Sequence, residues 1–586
     1  RMLLKASIYA PEAGKYTYEV LLVDGKNIAA PSPVFSSIVD LQAGETRELD
    51  IDAKITKTAY DYMLFVLRKG DAIYERTMVP FRLIEVYLDA YPRFLGEKIL
   101  FNVQTELIAG KYGDIKPVLT LSSPDGREMM RVPVTGENME VPFASRTVPA
   151  GEYKARLVGA DGTVVSELSI NFPGLGEWHA AQFPEEVILP PFTPMVTTGS
   201  QYDMWGRSYI YGNSVFPARI KTQNADFFIA EPEVLVDGAP VPGAGFTPGK
   251  SAPHHADFTA RADDGRCEIQ ASGWVEYDGV SYTKYKVALK AGVDHLALRF
   301  QMPAAMMKYL HTSRGDSWGA KRTERLNEGK TVVSFYPMVW VGMEDKGLCL
   351  FTETRRTWTA PAKEAFIITK QGDKAEILVQ IAKGLKAGAS LEFEFGFVAT
   401  PVKPLPADYP ANIFGDRFCM LMRRPGHAPV DAIAICYTRA TLGGIYFDMD
   451  WCKHGEDNLR QNINDVKKAG TRGVQYICGH YLTEEYPEAA AFADEWKMLP
   501  EHTLDYEHDG RRFVMYDACP ASHANAYIQL KLRETLKKVP LDGFYYDFGT
   551  IGFCSNKNHG CDECYPILAQ REFYRRTALV IYQSGI

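Results

Sequence analysis

Through the first four hundred residues, apolar positions recur at every second residue in short runs, and turn residues separate the runs. Tyr16-Thr17-Tyr18-Glu19-Val20-Leu21-Leu22-Val23 leads into Asp24-Gly25, a hairpin dipeptide, and Asp61-Tyr62-Met63-Leu64-Phe65-Val66-Leu67 is a second such run. These predict a small immunoglobulin- or fibronectin-like β-sandwich over residues 1–86. Residues 87–174 repeat the style, with strand-like Ile99-Leu100-Phe101-Asn102-Val103 and Val118-Leu119-Thr120-Leu121 and a turn at Pro124-Asp125-Gly126. Pro149-Ala150-Gly151-Glu152-Tyr153 resembles the start of a late strand. A second sandwich is expected here, serving as a spacer or as a carbohydrate-binding module. Residues 175–195, with Pro190, Pro191 and Pro194, read as a stiff linker. From 196 to 400 the β-type runs continue with almost no helical periodicity, for example Tyr282 to Leu289 and His295 to Phe300. That length of regular short strands predicts a large two-sheet sandwich. A second Pro-rich linker, Pro401-Val402-Lys403-Pro404-Leu405-Pro406, closes it.

Beyond residue 411 the pattern changes to strand and helix in alternation. Strands are predicted at Gly444 to Asp448, Val474 to Cys478, Phe513 to Asp517 and Gly543 to Asp547. Leu459, Ile463 and Val466 lie on one helical face that stops at Gly470, and Ile528, Leu532 and Leu536 lie on another that Ser522 can cap and Pro540 ends. A third helix is expected from Arg571 to Tyr582, with Pro566 near its start. Such alternation implies a parallel sheet with right-handed crossovers. No Gly-rich phosphate loop follows any of these strands, so a (β/α) barrel is preferred over a dinucleotide-binding sheet. About four units are visible where a closed barrel needs eight. Residues 411–586 are therefore read as the first half of a barrel. The open parallel edge of a half-barrel is an aggregation hazard, so further sequence, a partner or an oligomer is expected to cover it. Both ends of the chain read as fragment ends, because Arg1 precedes the first Met.

Composition narrows the class without naming it. The 586 residues are too many for one core, and a net charge of −8 without a long Lys/Arg run argues against a nucleic-acid partner. No apolar stretch reaches the length of a membrane span, and the first residues are too soon polar for a signal peptide. Tyr, Phe and Trp make up 12% of the chain, which suits sugar-stacking platforms but suits β-sandwich cores better. Of the 10 cysteines, eight lie between Cys419 and Cys564, so the last segment is chemically distinct and the chain is not an evenly stapled secreted scaffold.

Several short blocks, taken in order, resemble a largely uncharacterised bacterial family of glycoside hydrolases that joins a β-supersandwich to a catalytic barrel. They are Trp274-Val275-Glu276-Tyr277-Asp278-Gly279, Phe335 to Gly342 with Lys346-Gly347-Leu348, and Trp358. In the last segment they are Glu495-Trp496, Asp517-Ala518-Cys519-Pro520-Ala521-Ser522, Leu541 to Asp547, and Cys554 to Cys561. A more distant likeness is to α-galactosidase-type enzymes, where a strand-four aspartate is the nucleophile. The resemblance implies a multidomain β plus α/β protein: two small Ig/fibronectin-like β-sandwiches, a β-supersandwich, and a C-terminal TIM-type (β/α) barrel cut short. It also implies a carbohydrate substrate and an extracytoplasmic location.

Barrel enzymes carry their reactive groups at the C-terminal ends of strands. Asp448 and Asp450, His480, Asp517 and Asp547 fall at such ends. Glycosidic cleavage needs one carboxylate to trap or stabilise an oxocarbenium-like centre and one acid for the leaving oxygen. Asp547 is the first choice for nucleophile, the alternatives being a loop cap or a partner for a buried base. Asp448 and Asp450 beside Trp451 form a sugar-hydroxyl clamp or cap a loop. His480, Asp517 and Tyr545 are further substrate-binding candidates, with a structural role for His480 equally open. Cys554, His559, Cys561 and Cys564 have spacing that can hold a zinc ion, while a disulfide, buried thiols or a substrate-touching His559 remain open. Four protein ligands would make such a metal structural, and the hydrolysis itself requires no cofactor. Two other functions compete: a catalytically silent carbohydrate-binding scaffold, and a metal-dependent hydrolase built on the Cys/His loop.

Overall fold

The structure, a computed structural model, describes residues 2–586 apart from 11, 24–30, 54–61, 81–85, 224, 314–322, 405–417, 422–432, 437–452, 478, 509–510, 548 and 550. Sheet dominates, in several separate layers with few helices, as in a multidomain protein of stacked sandwiches. Asp24-Gly25, the predicted strand Gly444 to Asp448, and Asp450 and Trp451 lie outside the described residues.

The first 80 residues form a two-stranded and a four-stranded antiparallel sheet, closed by alternating buried residues such as Tyr16, Val20 and Leu22. A four-stranded and a three-stranded sheet follow between Leu88 and Phe172. Together with them comes a short helix, Thr105–Tyr112, that the sequence pattern did not announce.

Between Val196 and Thr400 a five-, a six- and a nine-stranded sheet pack together. The nine-stranded sheet is antiparallel throughout and has Val280–Leu289 and Ser390–Thr400 near its middle. In Val280–Leu289, Tyr285, Val287 and Leu289 point inward while Lys284 and Lys286 face out. Over 284–289 this period of two is what one buried sheet face requires, while Val280 to Thr283 are buried throughout.

Within the stretch read as a stiff linker, Trp178, Leu189 and Met195 are buried. A 3-10 turn at Glu177–Ala180 drives Trp178 into the core, edge-on to Phe492 and Trp496 at ring-centre distances of 5.0 and 5.1 Å. An indole is too large an apolar surface to leave in water when two aromatic partners are in reach.

In the C-terminal segment four parallel strands pair in chain order: Phe418–Leu421, Ile433–Cys436, Arg472–Ile477 and Phe544–Tyr546. Helices Lys453–Lys468, Ala524–Lys538 and Ile567–Gln583 accompany them. Leu459, Ile463 and Val466 are fully buried, as their spacing predicts, and Gly470 follows that helix with φ +78°. No closed barrel is formed among the described residues.

The predicted parallel strand at Phe513 to Asp517 is a correction. Arg511–Asp517 instead pairs antiparallel with Thr503–His508 on one side and Tyr481–Thr483 on the other, outside the parallel sheet. His508 and Arg511 are direct partners, and the two residues between them in sequence, Asp509-Gly510, are a hairpin dipeptide. That dipeptide was the legible signal for a hairpin.

Candidate active site and metal centre

Strands Arg472–Ile477 and Phe544–Tyr546 pair in the register Tyr476↔Tyr545 and Ile477↔Tyr546, so their C-terminal ends coincide. Side chains opposite each other on adjacent strands share a face, and the Tyr476 and Tyr545 rings stack at 5.7 Å and 26°. Asp547 is the next residue out. Its amide donates to the Ile477 carbonyl at 2.8 Å, which extends the strand pairing by one step. Its Oδ2 accepts from the buried Tyr476 hydroxyl at 2.6 Å. A short charge-assisted bond of this kind fixes one carboxylate oxygen at the sheet's C-terminal edge. The residue is half-buried, and Tyr545 stands beside it.

The other candidates gather on the neighbouring hairpin. His480 is buried, with Nδ1 2.5 Å from Asp517 Oδ1, and its ring stacks on Tyr481 and meets Phe573 edge-on. Tyr481 pairs in register with Asp517, so the His480–Asp517 contact ties together two strands of one sheet. The Tyr481 hydroxyl lies 2.9 Å from His502 Nδ1. Tyr476, Tyr481 and Met515, with Tyr545 against them, form one apolar cluster that joins the hairpin to the Asp547 strand end. Asp547, Tyr545, His480 and Asp517 are thus carried by two adjoining sheets. Tyr476, which no sequence argument singled out, links them. Its signal was its place two residues before Cys478 in a predicted strand neighbouring that of Tyr545.

The cysteine loop converges on a different set from the expected one. Cys519 Sγ, Cys554 Sγ, a His559 ring nitrogen and Cys561 Sγ all lie within 4.8 Å of one another. Cys519 takes the place the sequence reading gave to Cys564. Cys564 instead exchanges two backbone hydrogen bonds with Cys554, at 2.7 and 2.9 Å, and packs at the cluster's edge. Spacing along the chain points to the Cys-x2-Cys pair, whereas the tertiary fold delivers Cys519 from the end of the hairpin. The three thiols are buried, and Cys519 Sγ and Cys561 Sγ are 3.8 Å apart. A zinc tetrahedron with Zn–S bonds of about 2.3 Å sets its sulfurs about 3.8 Å apart.

Hydrogen bonds from the Cys519 and Cys561 thiols, and then from His559, pull the Cys554 thiol well below its ordinary range. Hydrogen-bond contacts with the Cys519, Cys554 and Cys564 thiols, and then burial, push Cys561 up. Cys267, Cys349, Cys519, Cys554, Cys561 and Cys564 are free thiols. These residues suit a thiophilic ion and could hold one.

No family model matches the chain, and no curated protein does. Solved structures show a distant likeness to α-galactosidase-type enzymes. The α-galactosidase from Lactobacillus brevis aligns at 12% identity and TM-score 0.27, over 74% of this chain and 66% of that one. The GH36 α-galactosidase AgaA from Geobacillus stearothermophilus aligns at 12% identity and TM-score 0.26, over 62% and 60%. The α-N-acetylgalactosaminidase NagBb from Bifidobacterium bifidum aligns at 11% identity and TM-score 0.27, over 65% and 74%. The chain therefore spans 60–66% of the length of the two galactosidases. Among the described residues no helix is long and apolar enough to cross a membrane.

Proposed function

We propose that the C-terminal segment is the catalytic domain of a glycoside hydrolase and that Asp547 is its nucleophile. The sandwiches 1–86 and 87–174 and the supersandwich 196–400 support that domain. The observation that carries the reading is the Asp547 carboxylate at the C-terminal end of a parallel strand, fixed by the Tyr476 hydroxyl at 2.6 Å with the Tyr545 ring alongside. Hydrolysis of an acetal needs such an immobilised carboxylate facing the anomeric carbon, and a ring beside it on which a sugar's apolar face can rest. In this reading Tyr545 lies against the substrate, and His480 with Asp517 braces the adjoining hairpin.

The test is Asp547→Asn against a panel of aryl α- and β-glycosides that includes the α-galactoside. Asn keeps the acceptor for Tyr476, so the fold and its melting should stay as in the parent. Turnover of whichever glycoside the parent cleaves should fall at least about 10³-fold. Full turnover by the variant would remove Asp547 from the chemistry, and sugar binding without turnover by the parent would favour the scaffold reading.

The Cys/His cluster is read as a structural metal centre. Four protein ligands complete a tetrahedron and leave no open position for substrate or water.

A further inference from the structure

The turn that carries Asp494, Glu495 and Lys497 is held from two opposite sides. On one side it meets the metal cluster. The His559 Nδ1–H donates to the Glu495 carbonyl at 2.7 Å, and because a carbonyl only accepts, the proton sits on Nδ1. The Nε2 lone pair then faces the thiols, 3.3 Å from Cys554 Sγ. A ring nitrogen committed to a backbone carbonyl is the outer-shell arrangement that orients a metal-ligating histidine.

The same loop grips the turn further. Asn556 Nδ2 donates to the carbonyls of Asp494 and Lys497 at 3.0 and 2.8 Å, and Asn558 Nδ2 donates to the Asp494 carbonyl at 3.0 Å. The second ligand-bearing stretch closes from behind, where the Cys519 amide donates to the Trp496 carbonyl at 2.7 Å.

On its other side the turn faces the sandwich between Leu88 and Phe172. Arg93 Nε donates to Asp494 Oδ2 at 2.8 Å. The amides of Leu95 and Gly96 donate to the two oxygens of the Glu495 carboxylate at 3.1 and 3.0 Å. Glu495 is buried, so this is a desolvated carboxylate satisfied across an interface rather than a surface contact.

We propose that Cys519, Cys554, His559 and Cys561 bind one Zn²⁺, and that this zinc is the clasp that holds the 494–497 turn in the shape that docks the second sandwich onto the C-terminal segment. The inference rests on reading the cluster as a metal centre and extends it to what the metal does. Three thiols and an imidazole at tetrahedral spacing select zinc over oxygen-seeking cations such as Mg²⁺ or Ca²⁺. Without the ion, the direct tie between the loop of Cys554 to Cys561 and Cys519 is, among the described residues, thiol contact alone, and the hydrogen bonds to the turn must hold the two stretches together by themselves. The grip on the turn then loosens at its source.

The experiment uses the full chain. Zinc is counted by elemental analysis, and Co²⁺ is exchanged into the site to read its thiolate charge-transfer and tetrahedral ligand-field bands. About one zinc per chain is expected, lost in Cys519→Ser and retained in Cys564→Ser. No zinc in the parent, or loss in Cys564→Ser with retention in Cys519→Ser, overturns the site. Amide exchange is then followed with and without a chelator on the unmutated protein, which avoids dependence on a variant that fails to fold. Peptides covering Leu95 and Gly96 should exchange at least about tenfold faster once zinc is removed, while those covering Val280–Leu289 stay unchanged. Zinc bound in the parent but no change at Leu95 and Gly96 overturns the clasp and leaves the metal centre standing.

Discussion

The supersandwich and the C-terminal segment are built on opposite plans. The supersandwich draws its core from one continuous stretch, Met195 to Ala399, whose buried residues face each other across its own sheets. The C-terminal segment does not own its core. Phe94, Phe172 and Trp178 from the front of the chain pack in one cluster with Phe492, Trp496, Tyr527 and Phe573 from its end. Phe94 meets Phe492 at 5.6 Å, and Trp178 meets both Phe492 and Trp496. A sheet sandwich can satisfy both inner faces internally, whereas a parallel sheet exposes apolar helix and loop surface that something else must cover. Here the second sandwich covers it.

The sharpest way to break this contrast is Trp496→Ala. The indole is fully buried between Trp178, Phe492 and Tyr527, and emptying it should cost about 3–5 kcal/mol. Because the core is shared, the second sandwich and the C-terminal segment should lose stability together in denaturant unfolding, with the supersandwich transition unmoved. Phe300→Ala, a comparable loss inside the supersandwich, should lower only the other transition. Equal shifts of every transition in both variants would show that the two cores are one cooperative unit.

A smaller effect is expected where the two plans meet. Arg571 of the last helix reaches into the supersandwich, with Nε 2.7 Å from Asp278 Oδ2 and a guanidinium nitrogen on Glu276. Burial pushes the Glu276 carboxyl up, but the His255 hydrogen bond and the Arg571 charge outweigh it and bring it down to about 2. A carboxyl lower in the folded than in the unfolded state stabilises above the unfolded value, and that stability is lost as pH falls toward the folded one. Arg571→Met removes the cation from two carboxylates, of which Glu276 keeps its His255 contact and Asp278 its bond from the Val280 amide. It should cost about 2–4 kcal/mol at neutral pH, less than a fully buried pair because each partner keeps some solvent. Acid unfolding should also begin at higher pH, and an unchanged acid midpoint would count against the pairing.

The smallest effect runs the other way with pH. Glu353 caps the start of helix Ile567–Gln583, accepting from the Leu568 amide at 2.8 Å. Burial pushes its carboxyl up to about 7 against the pull of that amide. Its stabilising contribution is complete below the unfolded value near 4.5 and is lost as pH rises through about 7. The contact between helix and supersandwich should weaken between pH 5 and 8 by on the order of 2 kcal/mol at most. Glu353→Gln should flatten that slope in pH-resolved melting, and a slope that survives the substitution belongs to another group.

The difference in plan also explains what the sequence revealed. Alternation over 284–289 reports a local rule, so strands of this kind were readable from periodicity alone. Leu459, Ile463 and Val466 were readable for the same reason, since a helix face is set by spacing. The hairpin at 503–517 was mistaken for a barrel strand because Phe513-Val514-Met515-Tyr516 is apolar enough for either setting, and the partner strand decides which. Trp178 looked like linker because its partners lie beyond residue 490. Cys519 was passed over as a ligand for the same cause: the nearest cysteine in sequence is not the nearest in space. The place of Asp547 at a strand end was legible because strand ends are local features, while the hydroxyl of Tyr476 that contacts it comes from a strand some 70 residues earlier.

The Leu95 and Gly96 amides wait for a carboxylate roughly 400 residues downstream. At about 5–20 residues per second, a ribosome needs roughly 20–80 seconds to deliver Glu495 after those amides emerge. Throughout that interval the apolar face formed by Phe94 and Trp178 has no cover, while the intervening supersandwich has everything it needs to close. Synthesis therefore imposes an order: the middle of the chain matures first, and the front completes only when the end arrives. Shielding of the nascent second sandwich becomes a requirement of production, and the yield of whole protein should depend on chaperone supply more than on the supersandwich's own stability.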